Sequence, residues 1–129
     1  MSIMVVVGVI INNQNKVLIT RRPTHVDHGG LWEFPGGKVE DLETPYEALV
    51  REIHEEVGLV IESAEFLTEI NYQYPSKNVT LQVYQIKKFK GIAQCLENQA
   101  DLRWVDLEAL TTYSFPEANH TIINLLVPC

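Results

Sequence analysis

The sequence predicts an α/β protein: an α/β/α sandwich around a mixed β-sheet. Three observations predict it. "IMVVVGVII" (3–11) is an unbroken, β-branched apolar run, as expected of a strand covered on both faces. "TPYEALVREIHEEVG" (44–58) carries the start and stop signals of a helix. From Pro116 to about Val127 a second helix places Ile122, Ile123, Leu125 and Leu126 where they can cover a sheet face. Strands flanked by two such helices form layers.

Taken in order, "NNQN" (12–15) is a turn, and "KVLITRR" (16–22) is a second strand that forms a hairpin with the first. Residues 23–30 are loop, and "LWEF" (31–34) is a short strand running into Pro-Gly-Gly. Thr44 is the N-cap of the first helix, Pro45 its first residue and Glu47 the partner in a capping box; Gly58 follows its last turn. Strands follow near 62–73 and 78–89, separated by the turn Pro75-Ser76-Lys77, and "LRWVDL" (102–107) is another. Trp32 and Trp104 read as core.

The 129 residues suit a single domain, 1–129, with one core. No apolar run approaches the ~18 residues that cross a bilayer, and the N-terminal segment reads as a strand rather than a signal peptide. Two cysteines, Cys95 and Cys129, make no disulfide framework, which suits a reducing cytoplasm. A formal charge of −7 argues against direct nucleic-acid binding. The four histidines have no zinc-like pairing with cysteine and read as structural or solvated.

Charge is most concentrated in "REIHEEVG" (51–58). Glu52, Glu55 and Glu56 are related by i, i+3 and i+4 and share a helix face. Tyr46, Leu49, Val50, Ile53 and Val57 form the core stripe beside it, and Ala48 lines the acidic face with a small side chain. A solvated face is one reading. No basic residue stands at i±4 from Glu52 or Glu56, and the acids sit at the helix end where the dipole disfavours them. Both features favour the other reading, a site for a hard divalent cation near a Gly-rich loop.

The segment "GGKVEDLETPYEALVREIHEEVGL" (36–59) resembles the signature of the Nudix hydrolases: Gly37, five residues, Glu43, seven residues, Arg51-Glu52-Ile53, one residue, Glu55-Glu56, one residue, Gly58-Leu59. The resemblance covers nearly the whole chain for the MutT-like members, through "ITRRP", "EFPGGKVE" and "FPEAN". It departs at Leu42, where those members often have Gly, at Lys77, where they have Arg, and over 91–100.

The resemblance implies the Nudix fold and an 8-oxo-dGTP diphosphatase that cleaves at the β-phosphorus and prevents mutation during DNA replication and repair. Its implied cofactor is Mg²⁺, with Mn²⁺ as a substitute. Glu52, Glu55, Glu56, the Gly36 carbonyl and Glu97 are the implied metal ligands, with Glu97 alternatively a surface loop residue. Glu52 is the implied general base and Glu97 the second choice. Arg51 is expected to face away from the metal and to hold Glu43 or Glu55, while Gly36 and Gly37 allow a tight loop. Arg22, Phe34, Lys77 and Asn119 are implied substrate contacts; Asn119 is alternatively a helix-end residue and Arg22 an exposed strand-end residue. The expected partner is a small-molecule nucleotide, with no membrane, and the chain is expected to be a monomer. The alternatives are a Nudix hydrolase of CTP-type or dinucleotide substrates, and a non-catalytic Nudix binding module.

Overall fold

The computed structural model describes residues 2–127. The strands are β1 (Ser2–Ile10), β2 (Lys16–Arg21), β3 (Trp32–Glu33), β4 (Gly36–Lys38), β5 (Val60–Tyr74), β6 (Lys77–Lys90) and β7 (Asp101–Asp106). The helices are α1 (Pro45–Val57) and α2 (Glu117–Leu126), with a 3₁₀ stretch at Leu107–Thr112. A mixed sheet has the order β4-β1-β6-β5, with β1 parallel to β6, and an antiparallel sheet has the order β3-β2-β7.

The two helices lie on opposite sides of β1, and the side-chain alternation shows it. Val7 and Val9 pack in one core with Ala118, Ile122 and Ile123 of α2. Val6 and Ile10 pack in a second core with Ala48, Leu49, Ile53 and Val57 of α1. The unbroken apolar run of β1 follows from this double burial. Both tryptophans face cores, Trp32 fully and Trp104 partly. On α2, Ile122 and Ile123 are buried, but Leu125 is half exposed.

The expected hairpin of the first two strands does not form. Asn12 makes the turn, its side-chain oxygen accepting from the Gln14 and Lys16 N–H groups, yet only Ile11 and Val17 then pair. Both edges of β1 are occupied, by β4 and β6, so β2 diverges into the other sheet with β3 and β7. β4 forms where the sequence predicts a loop. Glycine has low strand propensity, and the pairing is set by the free edge of β1.

Helix α1 has the ends expected of it. Thr44 accepts from the Glu47 N–H, Glu47 accepts from the Thr44 N–H, and Gly58 adopts the left-handed conformation at φ 76°. The core stripe is rotated from the expected one. Tyr46 is 40% exposed and Val50 half-buried, while Ala48 is fully buried. Ala48 is the contact that lets the helix lie close to the sheet.

Leu42 is fully exposed with φ 67°, a left-handed conformation that suits glycine. The loop therefore keeps a glycine-like shape with leucine in it. A left-handed backbone costs an L-residue roughly 1–2 kcal/mol, partly offset by the greater chain entropy of glycine when unfolded. Leu42→Gly is expected to raise stability by about 0.5–1 kcal/mol in urea unfolding; a loss of stability would show that the Leu42 side chain stabilises the loop.

Candidate functional site

The C-terminal half of α1, β4 and the loop after β6 converge on one group of acids. Glu52, Glu56 and Glu97 each place a carboxylate oxygen within 4.8 Å of the others. At about 100° per residue, Glu56 projects between Ala48 and Leu49, inside the buried arc rather than beside it. It is only 9% exposed.

Two pieces of chain close over these acids. Strand β4 lies against α1 so tightly that a Cβ on Gly37 would overlap the Glu52 carboxylate, and one on Gly36 would strike the Val6 carbonyl. The two glycines serve close approach here, in extended backbone, and not the tight turn expected. The Gly36 N–H donates to Glu56 Oε2 at 3.1 Å. On the other side, the 91–100 loop is pinned to the end of α1. The Gln94 N–H donates to the Val57 carbonyl, and the Leu96 N–H and the Gln99 side-chain amide both donate to the Glu56 carbonyl. These bonds carry Glu97, exposed at the loop surface, to the cluster.

Arg51 lies beside the acids rather than facing away from them. Its guanidinium is bidentate to Glu43, at 2.7 and 3.0 Å, and also donates to Glu52 at 3.0 Å, Glu55 at 3.2 Å and the Lys38 carbonyl at 3.1 Å. The i, i+4 rule finds the Arg51 contact with Glu55 but not the one with Glu52, which is adjacent in sequence and reached because the side chain is long enough to fold back along the helix. The Arg51 hydrogen bonds, reinforced by the Glu40 N–H, lower the Glu43 carboxyl to about 2. Glu55, held by Arg51 and half exposed, stands outside the three-carboxylate group.

Glu56 has no such cation. Burial pushes its carboxyl up to about 8, against the Gly36 hydrogen bond, and Glu33, Glu52 and Glu97 add to the rise. Burial also raises Glu52, opposed by Arg51. The group is thus three oxygen donors sharing one guanidinium contact and one N–H. An all-oxygen, charge-deficient set of this kind fits a hard divalent cation.

Next to the acids, a cleft of about 270 Å³ is lined by Arg22, Phe34, Gly36, Gly37, Glu56, Lys77 and Asn119, which the sequence had singled out from five separate segments. Phe34 is buried and stacked on Phe115, ring centroids 5.3 Å apart. Arg22 is oriented by the Asp27 carbonyl at 2.7 Å and Glu33 at 3.3 Å. Asn119 lies in the first turn of α2, partly exposed to the cleft. The cleft also takes in His28, Glu33, Lys38 and Tyr74, which sequence reasoning passed over. His28, read as structural or solvated, meets Tyr74 with ring centroids 5.6 Å apart. Its position in one loop between Arg22 and Glu33 was the available signal. No described helix is long and apolar enough to cross a membrane.

Comparison with known proteins agrees with this arrangement. The family model of the NUDIX domain matches residues 6–125. The chain is 35% identical over 122 residues to the 8-oxo-dGTP diphosphatase of Escherichia coli K12, covering 95% of this chain and 94% of that one. It is also 35% identical over 119 residues to the CTP pyrophosphohydrolase of the same organism, covering 92% and 87%. A solved MutT structure, from work on Aliivibrio salmonicida and Vibrio cholerae, superposes with a TM-score of 0.85 at 34% identity, covering 98% of this chain and 97% of that one. With the signature residues gathered on α1 and its flanking loops, the chain belongs to the Nudix family.

Proposed function

We propose that the chain is a nucleoside triphosphate pyrophosphohydrolase whose substrate is 8-oxo-dGTP, cleaved by water attack on the β-phosphorus to 8-oxo-dGMP and pyrophosphate. This reading makes it a monomeric, single-domain cytoplasmic enzyme that keeps oxidised guanine out of DNA replication and repair. The observation that carries it is the junction at Glu56, which belongs both to the acidic group and to the cleft that holds Asn119. The 35% identity to the E. coli 8-oxo-dGTP diphosphatase supports the same substrate.

Glu52, Glu56, Glu97 and the Gly36 carbonyl would hold Mg²⁺, or Mn²⁺ in its place, with Glu55 contributing from the rim. Such an ion neutralises phosphate charge and lowers the pKa of the attacking water. Glu52 takes the proton from that water. One of its oxygens is oriented by Arg51, and burial raises its basicity. Glu97 is the second candidate for this role. Arg51 and Glu43 keep the acids in register, and Gly37 leaves room for the Glu52 carboxylate.

Asn119 reads the base. In 8-oxoguanine N7 carries a proton, so one amide can donate to O6 and accept from N7–H. Unmodified guanine leaves the amide oxygen facing a lone pair, and pairing of this kind discriminates by roughly 10⁴ or more. Phe34 forms the apolar wall, and Arg22 and Lys77 supply positive charge to base or phosphate. A second reading, cleavage of CTP, is favoured by the equally identical CTP pyrophosphohydrolase. Comparison of kcat/KM for 8-oxo-dGTP, dGTP, 8-oxo-GTP and CTP with Mg²⁺ decides between them.

Glu52→Gln is expected to lower kcat by roughly 10²–10⁴ with an unchanged circular dichroism spectrum; a near-normal kcat would remove Glu52 from the base role. Asn119→Ala is expected to abolish the preference for 8-oxo-dGTP over dGTP, and an unchanged preference would exclude Asn119 as the reader. In metal-free protein, the folded Glu56 carboxyl titrates at about 8 against a usual value of 4.5. Its contribution to stability is therefore complete below 4.5 and lost as pH rises toward 8, with a slope up to about 1.4 kcal/mol per pH unit. Urea unfolding in EDTA should show this fall, Glu56→Gln should flatten it, and Mg²⁺ should oppose it by binding the ionised form. A flat metal-free profile that matches Glu56→Gln would show that the carboxylate is ionised in the fold.

A further inference from the structure

The first turn of α2 carries Asn119 but has no side-chain cap: Pro116 precedes it, and no side chain accepts from its N–H groups. Phe115, Pro116 and Ala118 are buried and fix the depth of this end of the helix, but such apolar contacts are non-directional. One side-chain hydrogen bond joins α2 to another element among the described residues. The Tyr72 hydroxyl, on β5, donates to the Glu117 carboxylate, two residues before Asn119. Tyr72 in turn packs on Tyr74, ring centroids 4.7 Å apart, and Tyr74 meets His28. Tyr74 and His28 line the cleft; Tyr72 and Glu117 do not.

We propose that Tyr72 and Glu117 are positioning residues for base recognition: their hydrogen bond fixes the first turn of α2 against the β5–β6 hairpin and so sets where the Asn119 amide stands relative to Tyr74, which lines the same cleft. The inference rests on the reading of Asn119 as the base reader. A polar reader discriminates only if its donor and acceptor are held to within about 0.5 Å. An uncapped first turn does not supply that precision. The phenol–carboxylate bond adds a directional constraint, because its acceptor is charged and its donor sits on a stiff ring packed against a second ring. Glu117 also stands in the first turn of α2, where the helix dipole favours an acidic side chain.

The test is steady-state kinetics on the full chain with Mg²⁺. Tyr72→Phe keeps the ring and removes the hydroxyl. Glu117→Ala removes the acceptor, and Glu117→Gln keeps an amide oxygen that the phenol can still reach. Tyr72→Phe and Glu117→Ala are each expected to lower the kcat/KM ratio of 8-oxo-dGTP to dGTP about tenfold, a partial loss of the roughly 10⁴ that a well-placed polar reader supplies. The loss should lie in KM with kcat unchanged. The double variant should be no worse than either single one, and Glu117→Gln should restore most of the ratio. An unchanged ratio in Tyr72→Phe and Glu117→Ala, with Asn119→Ala still abolishing it, overturns the positioning role and leaves the base-reader reading standing. If Asn119→Ala leaves the ratio intact, that reading fails, and the positioning claim is judged from the Asn119 side-chain amide NMR resonance. A resonance that shifts or broadens in Tyr72→Phe supports the tether, and one that stays in place overturns it.

Discussion

Glu56 is a carboxylate set inside the buried arc of a helix, with one backbone N–H, that of Gly36, as its hydrogen-bond partner. Burying a charge with so little compensation is costly, and burial with the neighbouring acids pushes the carboxyl pKa up. Much of the local structure serves to hold it there. Ala48 is small enough to let α1 lie against the sheet, Gly36 and Gly37 let β4 approach the acids, and β1 holds β4 in register. The loop after β6 brings Glu97 within reach by hydrogen bonding to the carbonyls of Glu56 and Val57. The chain thus maintains a deficit of positive charge at one point beside a cleft.

Arg51 keeps that deficit local. It meets four acids within 4.0 Å, and its strongest contacts go to Glu43, so one guanidinium ties the loop before α1 to the face of the helix. It neutralises the outer acids and touches Glu52 without reaching Glu56. A cation placed one turn further along would answer Glu56 and leave nothing for a metal ion to complete. The arrangement separates support from site: Glu43 and Glu55 are held by Arg51, while Glu56 has only the Gly36 N–H as a partner.

The helices were legible because their signals are local. Thr44, Pro45, Glu47 and Gly58 act through bonds within a few residues, so their spacing alone predicted α1 almost to the residue. The hairpin of β1 with β2 was misread because strand pairing depends on which edges are free. β1 is filled by β4 from a glycine segment and by β6 from about seventy residues away in sequence. The rotation of the core stripe on α1 was misread for a related reason. Tyr46 and Val50 are apolar enough for a core, but the sheet is reached through Ala48.

By itself the sequence determined the α/β class, the ends of α1, the grouping of Glu52 and Glu56 on one face and the family signature, all properties of short-range spacing. Only the tertiary structure decided that Glu56 is buried, that Glu97 joins it while Glu55 does not, that Arg51 turns toward the acids, and that His28 and Tyr74 line the same cleft as Asn119. These depend on burial and on contacts between distant segments. Burial sets the local dielectric and so the charge state of a carboxyl, and neither can be obtained from the order of residues without knowing what lies across from them.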